Sequence, residues 1–172
     1  MTDVTVERNL VWKEVKEADA YMRCASLIAD IHVKTKSWCG YAIIILSILG
    51  ITLCDLECKG VLLSIIFTLI TAIVEKVLPN LFTDYDSVPK LRELAKFFEA
   101  HRTKAIEIFT KINTKQIIDS SEAMQAFKDL SSARSDKKQE LDSLIKWLPK
   151  FVDDIIAKKS DEYLDEIFNY EQ

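Results

Sequence analysis

The sequence predicts an all-α membrane protein: a two-helix transmembrane hairpin attached to a cytoplasmic helical bundle, with copies assembling into an oligomer. Three observations predict it. Only three Gly and three Pro occur in 172 residues, so turns are scarce and helices long. Two uncharged apolar runs lie five residues apart, across the turn "DLECK". An apolar seam with heptad spacing precedes them. The chain divides into an amphipathic cytoplasmic helix at 1–36, the hairpin at 37–82 (spans 37–54 and 60–82) and a cytoplasmic helical region at 83–172.

Net charge is −4 and charged residues make up 29%, which excludes a disordered tail and a duplex nucleic-acid binder. The cysteines Cys24, Cys39, Cys54 and Cys58 form no CxxC pair, and neither His32 nor His101 stands at a zinc spacing from them. No metal site and no cofactor is expected.

In the first helix Val11, Val15, Ala18, Met22, Ala25, Ala29 and His32 follow spacings of 4, 3, 4, 3, 4 and 3, a seam for a neighbouring helix within or between chains. The first apolar run, "SWCGYAIIILSILGITLC", holds 18 residues without a charge and would rise about 27 Å as a helix. The second, Gly60 to Val74, holds 15, and reaches Phe82 if Glu75 and Lys76 are admitted. Two core helices of a soluble bundle are the alternative, but both runs are apolar all round. Arg23, Lys34, Lys36 and Lys76 flank the spans, against Lys59 alone in the turn. The positive-inside rule then puts both termini in the cytoplasm, with Trp38 and Tyr41 in an interfacial belt.

Gly60, Ser64, Thr68, Thr71 and Glu75 fall within an arc of about 80° on the second span. Gly40, Ser47, Gly50 and Cys54 are a weaker counterpart on the first. Three readings stay open: close helix packing, a pore lined by Ser64, Thr68 and Thr71 with Glu75 as a carboxylate ring, and a Lys36–Glu75 ion pair at the interface. A pore needs several copies; four is the expected number.

After "TDYDSVPKL", Asp86 or Ser87 can cap a helix that Pro89 begins. Leu91, Leu94, Phe98, Ala105, Ile108, Phe109 and Ile112 mark its apolar face to about Asn113. Asp119 with Glu122 opens the next helix, carrying Ala123, Ala126, Phe127 and Leu130. A third segment carries Leu141, Leu144, Ile145, Leu148, Val152 and Ile155, and Pro149 kinks or divides it. The acidic stretch from Asp153 reads as solvated surface. Lys90, Arg92, Lys96, Arg102 and Lys104, with His101 beside them, form a basic cluster. It is either a face toward anionic headgroups or an anion or nucleotide site where protomers meet.

No P-loop, GxGxxG turn, nucleophile triad or HExxH occurs, and the chain reads as a non-enzyme. An amphipathic helix, a two-span hairpin and a cytoplasmic helix containing "HRTKAIEIFTKI" resemble the SLATT domain over roughly residues 5–115. His101, Ala105, Phe109 and Ile112 are similar to its H-x3-A-x3-aromatic-x2-aliphatic pattern. The resemblance implies a bacterial inner-membrane effector of anti-phage defence, forming pores that depolarise the cell and abort infection. It also implies gating by a nucleotide or oligonucleotide messenger from a partner nucleotidyltransferase, as in Hailong-type systems. On that basis Arg92, Lys96, His101, Arg102 and Lys104 are the candidate messenger contacts, and Asp55, Glu57, Lys59 and Glu75 the candidate pore-mouth charges. The residue-level assignment is a reading of this sequence rather than a property of the family.

Overall fold

The computed structural model describes residues 5–53, 57–77, 80–81, 83–117, 119–148 and 150–170. Among them the chain is all-helical: α1 (Thr5–Leu53), α2 (Glu57–Lys76), a 3-10 turn at Tyr85–Ser87, α3 (Val88–Asn113), α4 (Ser120–Leu144) and α5 (Lys150–Tyr170). The side chains of Ser64 and Glu75, the residues Cys54, Asp55, Phe82 and Pro149, and the side chains of Glu57 and Lys59 lie outside the described set.

α1 is one helix of 49 residues, about 74 Å long, so the expected division at residue 36 is no break in the backbone. Its seam is buried, and the partner it needed is in the same chain. Cys24, Ala25, Ile28 and Ala29 pack with Leu91, Leu94 and Phe98 of α3, Leu141 of α4 and Val152 and Ile156 of α5. A second core joins Val11 and Val15 to Ala105, Phe109 and Ile112, with Ala123, Leu130 and Leu164 closing it. The small residues Ala18, Ala25 and Ala29 are fully buried and let the packed helices approach closely, while Met22 between them stays half-exposed. Burial pushes the Cys24 thiol up to about 11, so it is inert at neutral pH.

The helix ends follow local chemistry. α2 stops at Lys76 rather than Phe82; Val77 N–H donates to Ile73 O, and Asn80 Nδ2 to Lys76 O. Pro89 sits in the first turn of α3 as expected, but Ser87 occupies the cap position without a side-chain bond. At the other end Gln116 N–H reaches back to Lys111 O and Lys115 N–H to Ile112 O, with Lys115 in the left-handed region at φ 57°. Asp119 caps α4 by accepting from Ser121 N–H at 3.2 Å and Ser121 Oγ at 2.6 Å; no capping-box bond from Glu122 is found among the described residues.

Leu141 and Leu144 end α4, while Val152 and Ile155 belong to α5, so the third apolar segment is divided between Leu144 and Lys150, in line with the division expected at its proline. One expectation changes. The acidic stretch after Asp153 is not wholly solvated: Val152, Ile156, Ser160 and Leu164 recur every four residues and are buried.

The distal part of α1 pairs with α2 and leaves the bundle. There Trp38 is 74% exposed, and Ile44, Ile45, Ile48, Ile65, Leu69 and Ile73 are each more than half exposed. Among the described residues no helix is long and apolar enough to cross a membrane, so the expected spans 37–54 and 60–82 are not found as such. The side chains of 50–64, much of both apolar runs, lie outside that statement. The uncharged part of α2, residues 60–74, rises only about 22 Å against a hydrocarbon core of about 30 Å.

Phe98 joins α1, α3 and α5 at zero exposure, so Phe98→Ala should lower unfolding stability by about 3–5 kcal/mol. Denaturant midpoints checked by circular dichroism should show that loss with native helix content unchanged.

Candidate functional site

Two clusters of charged side chains on the bundle are candidate sites. The first is a layer between the two cores. Asp19 on α1 is fully buried and accepts from Arg102 Nη1 of α3 at 2.5 Å and from Arg23 Nε at 2.7 Å. Glu14, five residues earlier on α1 and also buried, accepts from Arg134 Nε and Nη2 of α4 at 2.7 and 3.0 Å. Arg134 Nη1 also donates to Glu17. His101 Nε2 lies 3.8 Å from the Glu14 carboxylate, with its ring stacked on Phe97. Tyr163 of α5 lies against both Arg102 and Arg23, at 4.7 and 5.3 Å from its ring centre.

Burial raises the affinity of the Glu14 carboxyl for its proton, but His101 and Arg134 outweigh it and hold the group below its ordinary 4.5. Burial likewise opposes the Arg134 charge, and Glu14 and Glu17 more than offset it. The pair is therefore ionised at neutral pH. Buried charges without partners are costly, so this layer fixes the register of α3 and α4 against α1.

The second place is a groove of about 500 Å³ between α1, α3 and α5. Met22, Leu27, Ala95, Ile155 and Ile156 give it apolar walls. Arg92, Lys96, Arg23 and Lys159 line it with positive charge, and Asp30 and Glu99 with negative. Arg92 and Lys96 are exposed, one turn apart on α3. Such a wall can hold a phosphate while the apolar surface receives a flat ring.

The four cations and one histidine expected to bind a messenger thus separate. Arg92 and Lys96 line the groove. His101 and Arg102 are in the ionic layer, turned into the bundle. Lys104 is exposed and outside the groove, near the Glu107–Lys111 pair, where the Lys111 hydrogen bond holds Glu107 below its ordinary carboxylate value. Of the pore candidates, Thr71 Oγ1 donates to Phe67 O at 2.8 Å within its own helix, and Thr68 is exposed. Ser47 Oγ likewise donates to Ile43 O at 2.8 Å. Lys36, expected opposite Glu75, lies 3.6 Å from the centre of the Tyr85 ring.

Sequence reasoning missed Glu14, Asp19 and Arg134. A signal existed: Glu14 and Asp19 flank the seam positions Val15 and Ala18, where an acid must find a cation on the packing helix. Among the described residues no group of three His, Cys, Asp or Glu side chains is placed to hold a metal.

No family description, curated protein or solved structure matches the chain. The likeness to the SLATT layout rests on the motif and the order of its elements.

The two classes of cation are separable by measurement. Arg102→Met should cost about 3 kcal/mol by weakening the pairing of Asp19, whereas Arg92→Gln and Lys96→Gln should change stability by less than about 0.5 kcal/mol. Because Glu14 binds its proton more weakly when folded, its contribution is complete above pH 4.5 and is lost as the pH falls below it. Glu14→Gln should flatten that part of the acid-denaturation curve.

Proposed function

We propose that the chain is a membrane-embedded effector: the hairpin of distal α1 and α2 enters the bilayer, several hairpins gather into a pore, and the bundle receives a nucleotide-like anionic signal. The observation that carries this reading is the hairpin's unpartnered surface. Large apolar side chains more than half exposed on two paired helices are unfavourable in water and favourable in lipid. Trp38 and Tyr41 at the base of the hairpin, with Lys34 and Lys36 beside them, have the character of an interfacial belt, which supports entry from the bundle side. Arg92 and Lys96 on the groove wall support an anionic ligand. The SLATT-like layout joins the two ends into one activity, depolarisation of a bacterial inner membrane during defence against phage.

A second reading has its own observation. Thr71 and Ser47 satisfy their hydroxyls on carbonyls of their own helices, so these groups need no aqueous path. A hairpin built that way also serves as an anchor for a helical scaffold.

Replacing residues 37–77 with an unrelated apolar hairpin separates the two. Potential-sensitive dyes should report depolarisation by the native chain and none by the replacement. Depolarisation surviving the replacement would overturn the pore, and a native chain that fails to partition into membranes would overturn both readings. Charge reversal at Arg92 and Lys96 should remove the nucleotide dependence of ion flux from reconstituted vesicles.

A further inference from the structure

The return from the hairpin to the bundle is made by residues 83–87, and this connector is held at three points. Thr83 is fully buried and its Oγ1 donates to Leu144 O, at the end of α4, at 2.8 Å. Asp84 accepts from Lys146 Nζ at 2.6 Å. Tyr85 packs its ring on His32 of α1, centroids 5.9 Å apart, and Lys36, one turn further along α1, covers the same ring.

His32 is the unusual member. It has no exposed surface, and neither Nδ1 nor Nε2 has a hydrogen-bond partner. A neutral imidazole in that place leaves one donor and one acceptor unmet, a tolerable cost. A protonated one would have at most the Thr83 backbone oxygen near one of its two donors, and would put a full charge in a closed site beside the Lys36 ammonium. The charged or titratable groups that face it are Lys36 on α1 and Asp84 and Tyr85 on the connector. Asp84 is already paired with Lys146, and Lys90 and Arg92 in the first turns of α3 are exposed.

We propose that His32 is a proton-sensitive latch: neutral, it keeps the 83–87 connector seated on α1, and protonated, it releases the connector and uncouples the hairpin from the bundle. Burial, with Lys36 adding to it, holds the imidazole below its ordinary 6.5, against the smaller raising effects of the Thr83 backbone and Asp84. The released ring regains the ordinary value, so the released state binds the proton more tightly. Acidification through 6.5 therefore favours release, up to a limit set by how far burial depresses the latched ring. Above 6.5 the latch is closed and insensitive to pH.

The test uses the full chain in detergent micelles. The chain has two histidines, so ring-carbon labelling gives two titrations, and His32→Gln assigns them. The His32 ring should titrate below 6.5; titration at or above that value overturns the proposal. Amide exchange, corrected for its intrinsic pH dependence, should show residues 83–87 losing protection between pH 6.5 and 5.5, by at most about fivefold, while Leu94 and Phe98 amides stay protected. His32→Phe keeps a ring on Tyr85 and cannot titrate, so its connector should show no such loss. Unchanged protection in the native chain, an equal loss in His32→Phe, or a loss shared by the α3 core would each overturn the latch. If His32→Phe fails to fold, the ring titration and the native exchange profile decide the matter.

Discussion

Two buried carboxylates on α1 set the terms for everything packed against it. Asp19 and Glu14 lie between the two apolar cores, and neither can remain charged there without a cation delivered at bonding distance. Arg102 delivers it from α3 and Arg134 from α4. Hydrophobic contact alone would tolerate a slide of one helix along another, because Val, Leu and Ala fit many registers. Sliding α3 by one turn, about 5.4 Å, would carry Arg102 out of reach of Asp19. The ionic layer thus contributes less to net stability than to the choice of one arrangement, and it fixes where α1 leaves the bundle.

Once that end is fixed, the same helix has a second environment. From about Trp38 onward α1 has α2 as its neighbour, and the two present isoleucine and leucine side chains outward. The bundle half of α1 buries one face, whereas among positions 37–49 the hairpin half buries Cys39 and half-buries Ala42, Ile43 and Leu46. One continuous helix and the Thr83–Tyr85 connector join the two halves, and the same helix forms a wall of the groove that Arg92 and Lys96 line.

Much of the backbone plan was legible in the sequence, because periodicity reports burial directly. The α1 seam, the α3 face from Leu91 to Ile112 and the Asp119 cap follow from spacing and side-chain chemistry alone. Spacing does not name the partner, so the seam could not say that its neighbour was α3 of the same chain. The apolar tally from Leu141 to Ile155 runs on across the break between α4 and α5, and only the proline at 149 marked it. In the acidic stretch, charge masked the four-residue recurrence of Val152, Ile156, Ser160 and Leu164. The candidate site was half legible for a related reason. Arg92, Lys96 and Arg102 all belong to α3, but Arg102 is turned about 120° from Lys96 and about 80° from Arg92, enough to take it from the groove into the ionic layer.

One continuous helix runs from an ionically locked bundle into an apolar arm, and we propose that lipid is the arm's remaining neighbour. Nitroxide labels placed at Ile44, Ile48, Leu69 and Ile73 of protein reconstituted in vesicles test it directly. The account predicts relaxation by oxygen well above relaxation by a water-soluble nickel chelate at all four sites, with the order reversed for labels at Asp30 and Glu99 on the bundle. Chelate access at the hairpin sites equal to that at Asp30 would contradict it.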